Sequence, residues 1–445
     1  MRFVHPHSVS YRKCLFSALL IWVIAGVTTQ TAIAQSLTDG SIYSRFGLGD
    51  RSSFFSSKSQ GMGGGGVAFG SINYVNFANP ASFGDMIFTR FSAGINYETV
   101  TESADNEDSS KLASGYLNAI QFAFPLKPNK FGFGLSFTPF TRVSYRVDSH
   151  GTIVSDPEDG TQEPFITSFR GNGGLHKLSA GLGYRIGNSL GIGASADFVF
   201  GIIEETQRTT FESIRFVDSH IVKSTRLSGF SATLGIRFSR PRLFGANDAF
   251  SVGATFSVPT TLSAHRVFTV GESEAVDTLK TNLKGNVDLP KSIGVGIAYQ
   301  PNRHWTIVAD IFFEEWSAFK SDLAFPGYAP GGAGAFDDRL RFSGGAEFFP
   351  SARDQFSGFF RAMTFRLGFY ADRSYVSPEP STKINSIGVT GGISVPTLIP
   401  GTRIDMNLDV GRRGTTDNGL IEDRYIRFGV SLNFGERWFI QRKLR

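Results

Sequence analysis

The sequence predicts an all-β protein, a transmembrane antiparallel β-barrel of about fourteen strands with an N-terminal hatch in its lumen. From about residue 86 to 434 apolar and polar residues alternate with period two, as barrel strands between lipid and water must. The connections between these segments alternate too, tight and then long. The chain also opens on an export signal and has no other stretch near the roughly 18 apolar residues that a transmembrane helix needs.

Residues 1–34 read as the signal peptide. Arg2, Arg12 and Lys13 form its basic start, Leu15 to Val27 its apolar core, and Ala32-Ile33-Ala34 a small-residue cleavage site before Gln35. Cys14, the only cysteine, lies inside it, so the mature chain has no disulfide, thiolate metal ligand or cysteine nucleophile.

Residues 35–85 are predicted to form the hatch. Five glycines fall within six residues (Gly61, Gly63, Gly64, Gly65 and Gly66), a run that holds neither helix nor ladder at low entropic cost. Asn79-Pro80-Ala81 follows just before the first strand. Asn-Pro is a turn dipeptide wherever it occurs. Beside a glycine run, the fixed φ of Pro80 would hold a bend and the Asn79 amide would satisfy local backbone groups in a plug without a ladder.

Residues 86–434 supply the barrel. In Arg403 to Val410 the apolar set is Ile404, Met406, Leu408 and Val410, and the polar set Arg403, Asp405, Asn407 and Asp409. The same two faces recur at about 86–100, 115–126, 131–147, 174–187, 190–208, 224–238, 249–270, 282–300, 304–319, 336–349, 359–375, 383–396, 401–414 and 423–434. Tight connections at 127–130, 188–189, 301–303 and 397–400 belong at the periplasmic rim, and longer ones at 101–114, 148–173, 209–223, 271–281 and 320–335 outside. Residues 435–445 form a basic periplasmic tail with Trp438 and Phe439. A soluble β-sandwich also alternates, but needs neither an export signal nor so many arginines on one face of long strands.

The net charge of +5 and pI near 9.2 do not point to nucleic acid, because the arginines are scattered on alternate strand positions. Inward charges such as Asp310, Glu314, Arg339, Arg341, Glu347, Arg366, Arg403, Asp405, Asp409 and Arg427 are expected to pair with one another and with hatch backbone, since a solitary buried charge is costly. No catalytic order of serine, histidine and aspartate, metal-ligand spacing or phosphate loop accompanies them, so no catalytic residue, metal or cofactor is assigned.

The glycine-rich segment with Asn79-Pro80-Ala81, followed by Phe91-Ser92-Ala93-Gly94, resembles the hatch of the FadL-like outer-membrane transporters of long-chain fatty acids and other hydrophobic compounds. Leu289-Pro290, Trp305, Trp316-Ser317-Ala318-Phe319 and Phe365-Arg366-Leu367-Gly368 are similar to further stretches of that family. The resemblance implies a fourteen-stranded barrel in a Gram-negative outer membrane, filled by a hatch, that takes up hydrophobic small molecules passively. It also implies a kinked third strand that opens the wall, and Pro139 falls there; the residue alone is equally read as a bulge or an early strand end. Pro259 and Pro290 read as rim-side bends. Phe69, Phe77 and Phe83 are candidate lining residues that a packed plug would bury just as well. Two departures stand out: the loops at 209–223 and 271–281, which build an outer capture groove in the family, are short, and Phe434 is not terminal. Members of this fold also serve as accessory barrels of a protein secretion system, which leaves a second reading open, an interaction barrel with a protein partner.

Overall fold

The computed structural model describes residues 40–436, apart from 54–55, 71–73, 106–108, 157–159, 273–280, 332–335, 353–356, 379–381 and 400. The signal peptide, its cleavage site and the tail beyond Glu436 lie outside the described residues.

The alternating segments form one antiparallel sheet that closes on itself. Its crossings are β1 (Thr89–Ser103), β2 (Ser110–Lys127), β3 (Phe131–Pro139, continued by Thr141–Asp156), β4 (Thr161–Ile186), β5 (Leu190–Phe211), β6 (Ser219–Pro241) and β7 (Ala249–Ser257, continued by Thr260–Glu272). The others are β8 (Thr281–Leu289, continued by Ser292–Gln300), β9 (Trp305–Glu314), β10 (Arg339–Phe348), β11 (Thr364–Arg373), β12 (Asn385–Pro396), β13 (Arg403–Gly414) and β14 (Glu422–Glu436). Fourteen crossings result, and β14 closes onto β1 with Phe434 opposite Phe91 and Arg427 opposite Glu98. Closure leaves lipid-facing backbone paired, which is what lets strands cross a bilayer.

Outward side chains such as Leu367, Phe369 and Val389 are more than half exposed in the chain alone, as a lipid-facing wall requires. A closed barrel with this apolar belt belongs in the outer membrane. The splits in β3, β7 and β8 fall at Pro139, Pro259 and Pro290, where a missing N–H interrupts a ladder.

The strands outrun the expectation on one side. Residues 148–173, expected as a loop, are a hairpin of β3 and β4, with Val147 opposite Phe169 and His150 opposite Ile166. β4, β5 and β6 have 26, 22 and 23 residues, well beyond the roughly 9–11 that cross a bilayer. Conversely, the segment expected at 304–319 ends as a strand at Glu314 and turns into a short 3₁₀ helix, Trp316–Ala318.

Short turns put Asn188 at one end, and the long connections put Asp156 and Pro330 at the other. Cys14 is the sequence's one cysteine, so in a Cys14→Ser background a single cysteine at Asp156 or Pro330 should label on whole cells with an impermeant thiol reagent, and one at Asn188 should not. Labelling at Asn188 alone would invert the barrel.

Candidate functional site: the N-terminal segment and the break in β3

Residues 40–88 contain little regular structure: a short strand Asp50–Arg51, one helical turn Ser57–Gln60 and 3₁₀ turns at Ile42–Arg45 and Pro80–Asp85. Most of the segment is buried, and its partners are inward-facing residues on strands all around the ring. Lys58 Nζ bonds Glu347 Oε1 of β10 at 2.6 Å, the Gly66 and Val67 N–H groups donate to Asp310 of β9 at 2.7 and 2.8 Å, and Tyr74 Oη donates to Asp405 of β13 at 3.0 Å.

The glycine run is explained by contact rather than flexibility. Gly63 has φ +72°, and a Cβ there would lie 2.3 Å from the Phe369 carbonyl oxygen. Across the contact, side chains at Gly345 and Gly368 would strike Met62. Backbone thus lies directly on barrel wall, glycine against glycine.

Asn79 is fully buried. Its Nδ2 donates to the carbonyls of Val67 (2.9 Å) and Ile236 on β6 (3.0 Å), and its Oδ1 accepts from the Ala81 N–H (3.0 Å), capping the turn that Pro80 opens. Strand glycines receive the turn: a Cβ at Gly193 would meet Pro80 at 2.4 Å, and one at Gly132 the Phe83 carbonyl oxygen at 2.1 Å. Phe77 and Phe83 pack edge to face, 5.1 Å apart, with Val75, Met86 and Ala123. Phe69 sits apart from them, beneath the Lys58 ammonium at 3.8 Å and beside a cavity of about 690 Å³ at the turn end. The three phenylalanines therefore do not converge on one pocket.

Ion pairs hold the inward faces of β9 to β14 and β1. Arg366 bridges Glu347 (2.8 Å) and Asp405 (3.1 Å) with its side chain fully buried, Arg427 bridges Glu98 (3.1 Å) and Asp409 (2.6 Å), and Arg341 pairs with Asp372 (2.9 Å). Asp310 differs, held by backbone N–H groups of the glycine run. Among segment residues, burial lowers the Lys58 ammonium to about 8 against the pull of Glu347, and burial raises the Tyr74 hydroxyl to about 12.

The loop-end half of β4 to β8 is lined differently. Leu175, Val199, Ile203, Leu227, Leu262, Val287 and Leu289 face inward and form one buried cluster with Leu48, Trp316, Phe336 and Tyr375. Trp316 stacks on Tyr375 at 4.0 Å. Sequence reasoning, which assigned the lumen face to polar residues, missed this core.

At Pro139 the β2–β3 ladder ends. β2 pairs with β3 only from Ile120↔Phe137 to Lys127↔Phe131. Past Pro139, Thr141–Asp156 pairs with β4, and among the described residues no pair connects it to Ser110–Ala119 of β2. The inner lip of this break is taken up by the N-terminal segment, with Asp50↔Arg142 and Arg51↔Thr141 as strand pairs and the Ser44 hydroxyl bonded to both the N–H and the C=O of Ser144. Behind Pro139 lies a cavity of about 120 Å³ bordered by Glu98, Arg142, Arg413 and Arg427. The apolar cluster reaches the break through Val143, Tyr145 and Phe140.

This architecture is shared with solved transporters. The toluene transporter TbuX of Ralstonia pickettii superposes with a TM-score of 0.55 at 17% identity, over 86% of this chain and 98% of its own. The toluene transporter TodX of Pseudomonas putida gives 0.54 at 18% identity, over 87% and 99%. A FadL homologue of Pseudomonas aeruginosa gives 0.55 at 12% identity, over 86% and 99%. At these identities the likeness shows the fold. A search of curated proteins finds no match. The BamG family model matches residues 16–445, nearly the whole sequence, and the chain therefore belongs to the BamG family.

Proposed function

We propose that the protein admits hydrophobic small molecules passively across the outer membrane and releases them sideways through the break in β3. The observation that carries this reading is the loss of β2–β3 pairing beyond Pro139. A buried apolar cluster runs from the loop end to Phe140 at that break, so an apolar solute would meet the wall opening without crossing the ion-paired side of the lumen. The structural neighbours supply candidate cargo, toluene and other monoaromatic hydrocarbons, beside the long-chain fatty acids of the family resemblance. In this reading residues 35–85 are the hatch and Asn79-Pro80-Ala81 is the structural motif that holds its bend. Phe69, Phe77 and Phe83 are packing residues of that hatch whose edges border its cavities.

A second reading has its own support. The cavity immediately behind Pro139 is bordered by charged groups, a poor surface for an apolar solute, and this favours an accessory barrel that engages a protein partner.

Replacing Pro139 with Val separates the two. If the break is an exit, restored β2–β3 pairing adds about 0.5–1.5 kcal/mol per recovered bond and cuts uptake of toluene or a long-chain fatty acid to the level of cells lacking the protein. Undiminished uptake by a more heat-resistant barrel would refute the exit, and a less stable barrel would make Pro139 a structural bulge. Deletion cells that grow normally on both carbon sources would favour the accessory role.

A further inference from the structure

Full closure normally leaves a barrel no free sheet edge, yet the loop-end half of β3 has one. Thr141–Asp156 is paired with β4 on one side, while on the other, among the described residues, only its first residues meet a strand partner, Asp50–Arg51 and Ser44. Ser144 turns both its N–H and its C=O away from β4, toward Ser44. The register with β4 then runs without a shift from Val143 to Val154, so strand alternation aims the backbone groups of Arg146, Asp148, His150, Thr152 and Val154 at the same open side. Across the break, Ser110–Ala119 of β2 is paired only with β1.

We propose that this edge receives an extended β-strand from a second polypeptide, one that alternates apolar residues with acidic ones. The edge already takes a strand at its inner end, because Asp50 and Arg51 pair with Arg142 and Thr141, and the open stretch continues that ladder. Its two faces differ. Tyr145 and Val147 belong to the apolar cluster inside, whereas Arg146, Asp148 and His150 are exposed on the opposite face. On that face Arg170 of β4 stands opposite Arg146, exposed and without an ion pair among the described residues. An incoming strand thus finds apolar neighbours on one side and, on the other, the exposed Arg170 beside the Arg146–Asp148 ion pair (3.0 Å), a face with positive charge in excess; main-chain bonds give affinity, and alternate side chains give selectivity. The inference does not depend on transport, and its test measures binding, not uptake.

The test uses the full chain in phospholipid vesicles, with the single substitution Thr152→Cys and short synthetic peptides alternating valine with glutamate. A cysteine walked along the peptide should form disulfides with position 152 at every second site. On the unaltered protein, N-methylation of the peptide backbone at edge-facing positions should weaken binding at least about tenfold, the loss of two or so hydrogen bonds, while methylation at intervening positions should not. His150→Pro should weaken binding similarly, and His150→Ala should not. Uniform cross-linking, or equal binding of the methylated peptides, would reduce the contact to surface adsorption and overturn the proposal. Disulfide dimers of the Thr152→Cys protein without peptide would assign the edge to a second copy, and equal binding of a valine–lysine peptide would remove the charge argument.

Discussion

A protein lacking Gln35 to Gly84 but keeping the signal should insert into the outer membrane and conduct ions steadily in planar bilayers, where the intact chain stays closed. The described residues of the segment sit between inward faces, with backbone against the wall at Gly345 and Gly368. Without it, Arg366, Glu347, Asp405, Arg427 and Asp409 would line an aqueous lumen. Conductance equal to that of the intact protein would show that these residues are not what seals the pore.

Replacing Arg366 with Met should lower stability by about 3–5 kcal/mol, read by urea unfolding in lipid vesicles, because the fully buried Asp405 loses its cation while Glu347 keeps only Lys58. Tyr74 Oη, which accepts a bond from Arg366 at 2.8 Å, would lose that contact too. A double variant that also carries Asp405→Asn should recover part of the loss, since the uncompensated charge is then gone and Glu347 still has Lys58. If the single and double variants unfold alike, the cost lies in packing and not in charge.

Much of the barrel could be read from single residues. The contrast between Ile404, Met406, Leu408 and their charged neighbours exists because one side meets lipid and the other ion pairs, and the structure keeps that parity from Arg403↔Asn433 to Gly414↔Glu422. The expectation that lumen charges pair was also legible, and Arg366, Arg427 and Arg341 do so. The β3–β4 hairpin was not legible, because Arg146, Asp148 and His150 stand beyond the lipid and offer no two-sided contrast with Ser149 and Gly151. The apolar core escaped for the opposite reason. Phe198-Val199-Phe200 and Ile202-Ile203 are apolar on both faces, which reads as noise in a pattern that expects one wet side. The hydrogen bonds of Asn79 to Val67 and Ile236 needed the third dimension, although the bend itself was visible in Asn79-Pro80.

The seating of the N-terminal segment sets the order of assembly. Asn79 finds its carbonyl on a strand 157 residues later, and Lys58 its carboxylate 289 residues later. The first residues to leave the export channel are therefore among the last to be satisfied, and the glycine run cannot order itself meanwhile. Until β14 meets β1, the ring that seats this stretch is incomplete.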